Sequence, residues 1–246
     1  MVPHLYADAV RRILEHLETT QIDAIDRAAD AIVKALRSGG AVFCANIGHN
    51  NQDDFLNRAG GLAALQRFAY SLSITDPVAA CLADRPRSEP FERDIETVRF
   101  AVRASNLRRG DVVLVGSVSG RNREPVELAL ACRDLGVTVI GMTSLTYTRQ
   151  VESLHPSGKR LFEVADVVVD NGAPFGDAAV QIPGCDHDLL PVSGVAFIVS
   201  GWMIFGRVME KMAEIGDPAT AFISANRPGG MESYQENRDR YNNRGY

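Results

Sequence analysis

Residues 111–122, which read DVVLVGSVSGRN, decide the fold class of this chain. The first half is a continuous apolar run ending at Gly116, as expected for a strand buried on both faces. The second half is a turn of small and polar residues. A helix is predicted after it, over residues 125–135, because Pro125 suits its first turn and Gly136 its end. Residues 137–142 (VTVIGM) form the next predicted strand, so the segment makes a βαβ crossover with two parallel strands.

The same alternation of apolar runs and helical periods extends in both directions along the chain. Helical spacing and apolar runs predict a helix or helix pair over 5–37, a buried strand over 41–45, a helical stretch over about 52–65, a strand over 164–169 and an apolar helix over 191–212. Strands that alternate with helices predict an α/β fold with a doubly wound, mostly parallel sheet and helices on both faces. In such sheets ligands bind beyond the carboxyl ends of the strands.

The domain organisation follows from the same pattern. We expect residues 1–38 to be a helical arm packed on the core or on a partner, and residues 39–226 to be one α/β domain. Residues 227–246 contain almost no aliphatic side chains and cannot form a core of their own. This polar tail is interpreted either as flexible or as an arm laid on a partner subunit.

Composition excludes several classes of protein. The 246 residues contain 26 Lys and Arg against 31 Asp and Glu, a net charge of −5, which argues against a nucleic-acid partner. The most apolar stretch, residues 195–205, is too short to span a membrane, and residues 2–4 do not begin a signal peptide. The four cysteines form no CxxC pair: Cys44, Cys81, Cys132 and Cys185. Three of them lie inside apolar runs, and these are predicted to be small buried hydrophobes. We therefore expect a cytoplasmic protein with no membrane partner, no metal and no other cofactor.

The turn at residues 117–122 is a candidate anion site. Ser117, Ser119 and Asn122 offer uncharged donors beside the free amides of a helix N-terminus, and Gly120 lets the backbone approach a ligand. Thr143 and Ser144 end the next strand, one βα unit later. The alternative is an ordinary Ser or Asn N-cap on a βα turn.

The chain resembles the sugar isomerase (SIS) domain family, and more closely its UPF0309 subgroup. The strand, the S-x-S-G-x-N loop, the helix and the strand ending in Thr143 carry the first resemblance. The second rests on the segments RAGGL (58–62), SGRN (119–122), VIGMTSL (139–145), HPSGK (155–159), EVAD (163–166), DNG (170–172), GDA (176–178) and ISAN (223–226). The resemblance implies a flavodoxin-like fold over residues 39–226, a phosphosugar or related ligand, and a homodimer with the site near the subunit interface.

The resemblance also implies which residues bind the ligand. The family's first loop usually reads G-x-G-x-S, whereas here Asn46 and Asn50 replace the first Gly and the Ser. This change predicts a narrower pocket or a different sugar. The expected phosphosugar-binding residues are Gly48, Asn50, Ser117, Ser119, Gly120, Arg121, Asn122, Thr143, Ser144 and Ser193.

Aldose–ketose isomerisation needs a base that moves a proton between neighbouring carbons through an enediol. The preferred candidates are His49, Asp54, His155 and Asp177, which lie in or beside predicted loops at the carboxyl edge of the sheet. Asp53, Glu124, Glu127 and His187 are further candidates. Helix-dipole compensation is the alternative role for Asp54, and an ordinary surface turn is the alternative for His155. Asp186, His187 and Asp188 lack the spacing that would aim three ligands at one metal.

Three functions therefore compete. The first is a phosphosugar isomerase. The second is a lyase that cleaves an ether of an amino-sugar phosphate, which also begins with proton abstraction. The third is a non-catalytic sensor that binds a sugar phosphate and reports to a partner.

Overall fold

A computed structural model of the chain describes residues 1–48, 52–86 and 91–246. The central strands are β1 (Val42–Gly48), β2 (Leu65–Phe68), β3 (Val112–Gly116), β4 (Thr138–Thr143) and β5 (Val167–Asp170). All four neighbouring pairs are parallel, and the strand order is β2-β1-β3-β4-β5. This is the flavodoxin-like order, in which the winding reverses between β1 and β3. The predicted doubly wound α/β fold is confirmed. A small antiparallel ribbon, β6 (Ala178–Val180) and β7 (Leu189–Pro191), follows the sheet.

Helices cover both faces of the sheet. They are α1 (Val2–Thr20), α2 (Ile22–Arg37), α3 (Arg93–Ala104), α4 (Arg123–Leu135), α5 (Leu145–Thr148), α6 (Leu161–Val164), α7 (Ser193–Glu214) and α8 (Gly230–Arg244). One buried cluster joins α1, α2 and α7 to the side chains of Val112 and Leu114, and a second joins α3, α4 and α6 to Val113 and Val115. Successive β3 side chains thus enter opposite cores, which explains why the run at 111–116 is apolar throughout.

An ion-pair network ties α2 to α7 at the edge of the first cluster. Arg207 Nε donates to Asp26 Oδ1 at 2.7 Å and Lys211 Nζ donates to Asp26 Oδ2 at 2.9 Å. These hydrogen bonds with Arg207 and then Lys211 lower the pKa of Asp26 below its usual value of 3.8.

Because folding lowers the pKa of Asp26, its contribution to stability is present above pH 3.8 and is lost as the pH falls below that value. We expect Asp26→Asn to lower the free energy of unfolding at pH 7. We also expect that free energy to fall less between pH 7 and pH 3 in the variant than in the parent. Urea unfolding at pH 7 and pH 3 measures both quantities. Asp23→Asn, an exposed carboxylate on the same helix, is the control. An unchanged dependence of stability on pH in Asp26→Asn would contradict this account.

The helix predicted over residues 52–65 is wrong. The structure has one 3₁₀ turn, Gln52–Asp54, then turns, then the edge strand β2. Phe55 is buried with its ring against Gly201 of α7, where an added Cβ would lie 2.3 Å from the ring. The adjacent glycines Gly60 and Gly61 interrupt any helix before Leu65. The packing of Phe55 and the two glycines therefore prevent the helix that the apolar spacing predicts.

The polar segment at residues 227–246 contains α8, and the chain end packs on its own protomer. Tyr246 donates a hydroxyl hydrogen bond to Asp217 at 2.7 Å, and Arg244 pairs with the same carboxylate. The Phe222 and Tyr234 rings stack with centroids 4.9 Å apart. Aromatic and ionic contacts therefore order a segment without aliphatic side chains. The boundaries proposed at 38 and 226 stay predictions.

The cysteines divide into two groups. Burial raises the pKa of the Cys44 and Cys132 thiols to about 12, so these two are the inert buried residues that were predicted. The prediction is wrong for Cys81, which is exposed on the 3₁₀ turn Ala80–Leu82. Cys185, which lies outside the apolar runs, is half-buried. Among the described residues, no helix has the length and apolar character needed to cross a membrane.

Candidate functional site

The turn between β3 and α4 presents three polar side chains at the start of a helix. Ser117 is buried, Ser119 is half-buried and Asn122 is exposed. Asn122 occupies the N-cap position of α4, yet its side chain makes no capping hydrogen bond. Within the described residues, no protein group hydrogen-bonds to the hydroxyls of Ser117 and Ser119 or to the Asn122 amide. The geometry therefore departs from an ordinary capped turn and leaves donors free at the positive end of the α4 dipole.

Gly120 sets the shape of this turn. Its φ of +60° lies in the left-handed region, and an added Cβ would lie 2.9 Å from both Thr143 Oγ1 and Thr148 Oγ1. The Gly120 carbonyl accepts a hydrogen bond from Leu161 N at 2.8 Å. The turn is thus pressed against its neighbours, and only glycine fits this position without displacing them.

Thr143 and Ser144 lie in the frame behind the turn. Thr143 Oγ1 donates to Val118 O at 3.0 Å, and Ser144 N donates to the same carbonyl at 3.0 Å. Ser144 Oγ donates to Ala173 O at 2.6 Å and accepts from Tyr147 N. Both side chains are fully buried. The structure therefore gives these two hydroxyls intramolecular partners, whereas the sequence predicted that they line the pocket.

The carboxyl ends of β1 and β3 meet at the point where the strand order reverses. Gly48 pairs with Gly116, and a Cβ on Gly48 would lie 2.2 Å from the Gly116 carbonyl oxygen. The φ of Gly48 is +81°, and the absence of a side chain lets its backbone lie against that of Gly116. The start of the first loop therefore lies beside the turn at 117–122. The predicted site residues His49 and Asn50 lie outside the described residues.

Arg121 is the one cationic side chain among the predicted binding residues. Its carbonyl accepts a hydrogen bond from Leu154 N at 2.9 Å, so the 149–160 segment is fastened to the turn. Its Nε is buried without a hydrogen-bond partner in the described part of the chain. Next to it, the Arg123 guanidinium pairs with Glu92 and Asp94. Arg121 thus brings positive charge to the turn while Arg123 is neutralised.

His155 is buried in a network that spans α3, α4 and the 149–160 segment. Its Nδ1 accepts hydrogen bonds from Ser157 N at 3.1 Å and Ser157 Oγ at 2.7 Å. Nδ1 is therefore unprotonated, and the Nε2 hydrogen is donated to Glu127 Oε2 at 2.8 Å. The other oxygen of Glu127 accepts from Arg99 Nε at 2.5 Å. Both ring nitrogens of His155 are in use, and the sequence pattern did not reveal the pairing with Glu127 and Arg99.

Asp177 serves as the cap of α7. Its carboxylate accepts from Ser193 N at 2.9 Å, from Ser193 Oγ at 2.6 Å and from Val192 N at 3.2 Å. The backbone of Asp177 is left-handed, with φ at +67°, which turns the carboxylate back onto the helix. The structure brings the predicted pair Asp177 and Ser193 together, but in mutual contact, with Ser193 buried.

The two acids after β1 are more open. Asp54 ends the 3₁₀ turn beside β1, and its side chain is 43% exposed with Arg58 at 3.8 Å. Asp53 pairs with Arg67 on β2. Glu124 is exposed in the first turn of α4. Among the preferred bases that the structure describes, Asp54 is the one whose side chain has no hydrogen bond to another described residue, whereas His155 and Asp177 each have several.

A doubly wound parallel sheet with a turn of polar side chains at its switch point defines a class of α/β proteins, which bind ligands at that edge of the sheet. Comparison with known proteins places the chain within this class. A family model described as SIS domain matches residues 5–144. A UPF0309 protein of Listeria innocua is 32% identical over 241 residues, covering 97% of this chain and 95% of the relative. The chain therefore belongs to the SIS domain family and, within it, to the UPF0309 group.

Two solved structures share the fold. The phosphoheptose isomerase GmhA of Neisseria gonorrhoeae superposes with a TM-score of 0.52 at 17% identity, covering 84% of this chain and 96% of that one. The sugar isomerase domain of an RpiR transcription factor from Sphaerobacter thermophilus gives a TM-score of 0.50 at 17% identity, covering 87% and 92%. At this identity both comparisons establish the fold, which agrees with the predicted SIS fold.

Proposed function

We propose that this protein binds a phosphosugar between the carboxyl ends of β1 and β3 and interconverts its aldose and ketose forms. The observation that carries the proposal is the set of unpartnered donors on Ser117, Ser119 and Asn122 at the N-terminus of α4. A phosphate group accepts hydrogen bonds from hydroxyl and amide donors, and the helix dipole and Arg121 favour its negative charge. We further propose that the protein is a cytoplasmic homodimer and that its binding site lies near the subunit interface.

In the proposed reaction the phosphate fixes the sugar while a carboxylate moves one proton. The base removes the proton from C2 of the aldose as the C1 carbonyl oxygen takes up a proton, which gives an enediol. Return of the first proton to C1 and loss of the C2 hydroxyl proton give the ketose. Asp54 is the proposed base because its carboxylate is exposed beside β1 and has only a weak ion pair with Arg58. His49 is the second candidate for this role by its place in the first loop.

The binding step is tested with the double variant Ser119→Ala, Asn122→Ala. Each hydrogen bond to a charged group contributes about 1.5–3 kcal/mol, so we expect the variant to bind phosphosugars at least about tenfold more weakly. Isothermal titration calorimetry with hexose, heptose, pentose and amino-sugar phosphates measures the change. Asn242→Ala, on the exposed face of α8, is the control. Equal affinity of the double variant and the parent would remove the basis of the proposal.

The chemical step is tested by proton NMR of the same panel in D₂O. Loss of a C2 proton signal with formation of the other sugar form identifies an isomerase and its substrate, and release of a side chain identifies a lyase. We expect Asp54→Asn to keep phosphosugar affinity within about twofold and to abolish the exchange. If the C2 proton still exchanged in Asp54→Asn, Asp54 would not be the base and another residue would have to perform that role.

A specific observation favours the sensor as the second candidate. Two of the four preferred bases, His155 and Asp177, have their acid–base groups engaged by protein partners. The fold of an RpiR transcription factor's sugar isomerase domain is compatible with this function. Tight binding of a phosphosugar with no exchange of any proton in D₂O would establish the sensor over the isomerase.

A further inference from the structure

Residues 71–86 form a segment that is exposed along its entire length. All sixteen residues are exposed, and the segment contains one 3₁₀ turn, Ala80–Leu82. Its hydrogen bonds within the described chain are confined to that turn and its flank, between residues 79 and 85. We refer to residues 71–86 as the arm. A segment with so few contacts gains almost nothing from its own protomer to offset the entropy of ordering it.

The arm nevertheless carries four large apolar side chains. Leu72, Ile74, Val78 and Leu82 are each between 45% and 58% exposed. Scattered exposed apolar residues are ordinary on a protein surface, but four on one unpaired segment form the kind of surface that another protein surface covers.

A groove lies at the base of the arm. It runs between the edge strand β2 and α3, has a volume of about 390 Å³, and is lined by Phe43, Phe68, Tyr70 and Phe100 among others. Phe100 is 65% exposed. The outer edge of β2 pairs with no described strand, so its backbone groups are also open beside the groove.

We propose that the arm of one copy of this chain lies in the β2–α3 groove of a second copy, and that the exchange is reciprocal. One chain carries both an apolar arm and an open apolar groove, so a two-fold axis lets two copies cover both surfaces at once. Ser71 and Leu72 line the groove and also begin the arm, which places the groove beside the axis. The arm has sixteen residues and the groove thirteen, with two shared. This matches the roughly 20–30 residues that each partner contributes to a stable interface.

Charged substitutions on each surface test the exchange. The arm variant is Ile74→Glu with Val78→Glu, the groove variant is Phe100→Glu, and the control is Met231→Glu, an equally exposed apolar residue on α8. We expect the parent and the control to be dimers, and each of the other variants to have a dimer dissociation constant raised at least about tenfold. Analytical ultracentrifugation over a range of concentrations measures this. Because the altered side chains are exposed, all variants are expected to keep the parent's circular dichroism spectrum.

Mixing the two variants distinguishes exchange from a general loss of association. The arm variant has an unaltered groove, and the groove variant has an unaltered arm. In their heterodimer one unaltered arm therefore lies in one unaltered groove, whereas neither homodimer contains such a contact. We expect heterodimers in the mixture by native mass spectrometry at concentrations where each variant alone is monomeric. A monomeric parent, dimeric arm variants, or no heterodimer in the mixture would each overturn the proposal. The readout is mass, so the outcome is independent of the phosphosugar site.

Discussion

Replacing Glu127 with alanine is expected to lower the free energy of unfolding by about 1–3 kcal/mol, because it leaves the buried Nε2–H donor of His155 without its acceptor. Glu127 is 2% exposed and its two oxygens accept from His155 Nε2 and Arg99 Nε. The hydrogen bond and the charge of this carboxylate raise the pKa of Arg99. Without Glu127, the 149–160 segment also loses the hydrogen bond that anchors His155 on α4.

For a chain of this length, that loss corresponds to a fall in melting temperature of roughly 2–12 °C. Differential scanning calorimetry and urea unfolding provide the two measurements. Glu124→Ala is the matched control, since Glu124 is exposed one turn earlier on the same helix and its loss should change stability by no more than about 0.5 kcal/mol. Equal effects of the two substitutions would show that the buried network contributes no more than an exposed carboxylate does.

The central part of the fold could be predicted from the sequence because its signals are local. The apolar run of β3, the helix that ends at Gly136 and the following strand β4 are each specified by consecutive residues, and the structure confirms all three. The edge strand β2 could not be predicted in this way. Its four residues follow a stretch whose apolar spacing fits a helix, and what decides the matter is the burial of Phe55 against Gly201, almost 150 positions later. The spacing of apolar residues along the chain carries no information about a contact between residues so far apart in sequence.

The candidate site shows the same division. The turn at 117–122 could be predicted as a candidate anion site, since its residue types and its position between a strand and a helix are both visible in the sequence. The roles of His155 and Asp177 were not visible, because their partners Glu127 and Ser193 lie 28 and 16 residues away. A loop histidine and a loop aspartate are equally plausible as bases until their hydrogen bonds are known. Titratable residue types therefore predict where chemistry is possible, while the partners decide which groups remain available for it.

Replacing Gly120 with alanine is expected to lower the free energy of unfolding by about 2–5 kcal/mol and to weaken phosphosugar binding at least about tenfold. A left-handed residue with a Cβ costs about 1–2 kcal/mol, and crowding in a packed interior adds about 1–3 kcal/mol. The crowding arises because the new methyl group would lie 2.9 Å from the hydroxyls of Thr143 and Thr148. Thr143 is held by its bond to Val118, so the turn has to move, and the donors on Ser119 and Asn122 move with it.

Gly158→Ala separates the two causes. Gly158 has a φ of +69°, close to the +60° of Gly120, but an added Cβ there meets nothing within 4 Å. This variant should therefore show the backbone cost of about 1–2 kcal/mol alone and keep the parent's phosphosugar affinity. Urea unfolding and calorimetric titration of both variants provide the comparison. If Gly120→Ala were no more destabilising than Gly158→Ala and bound phosphosugars as the parent does, the close packing of this turn against β4 and α5 would have no part in shaping the site.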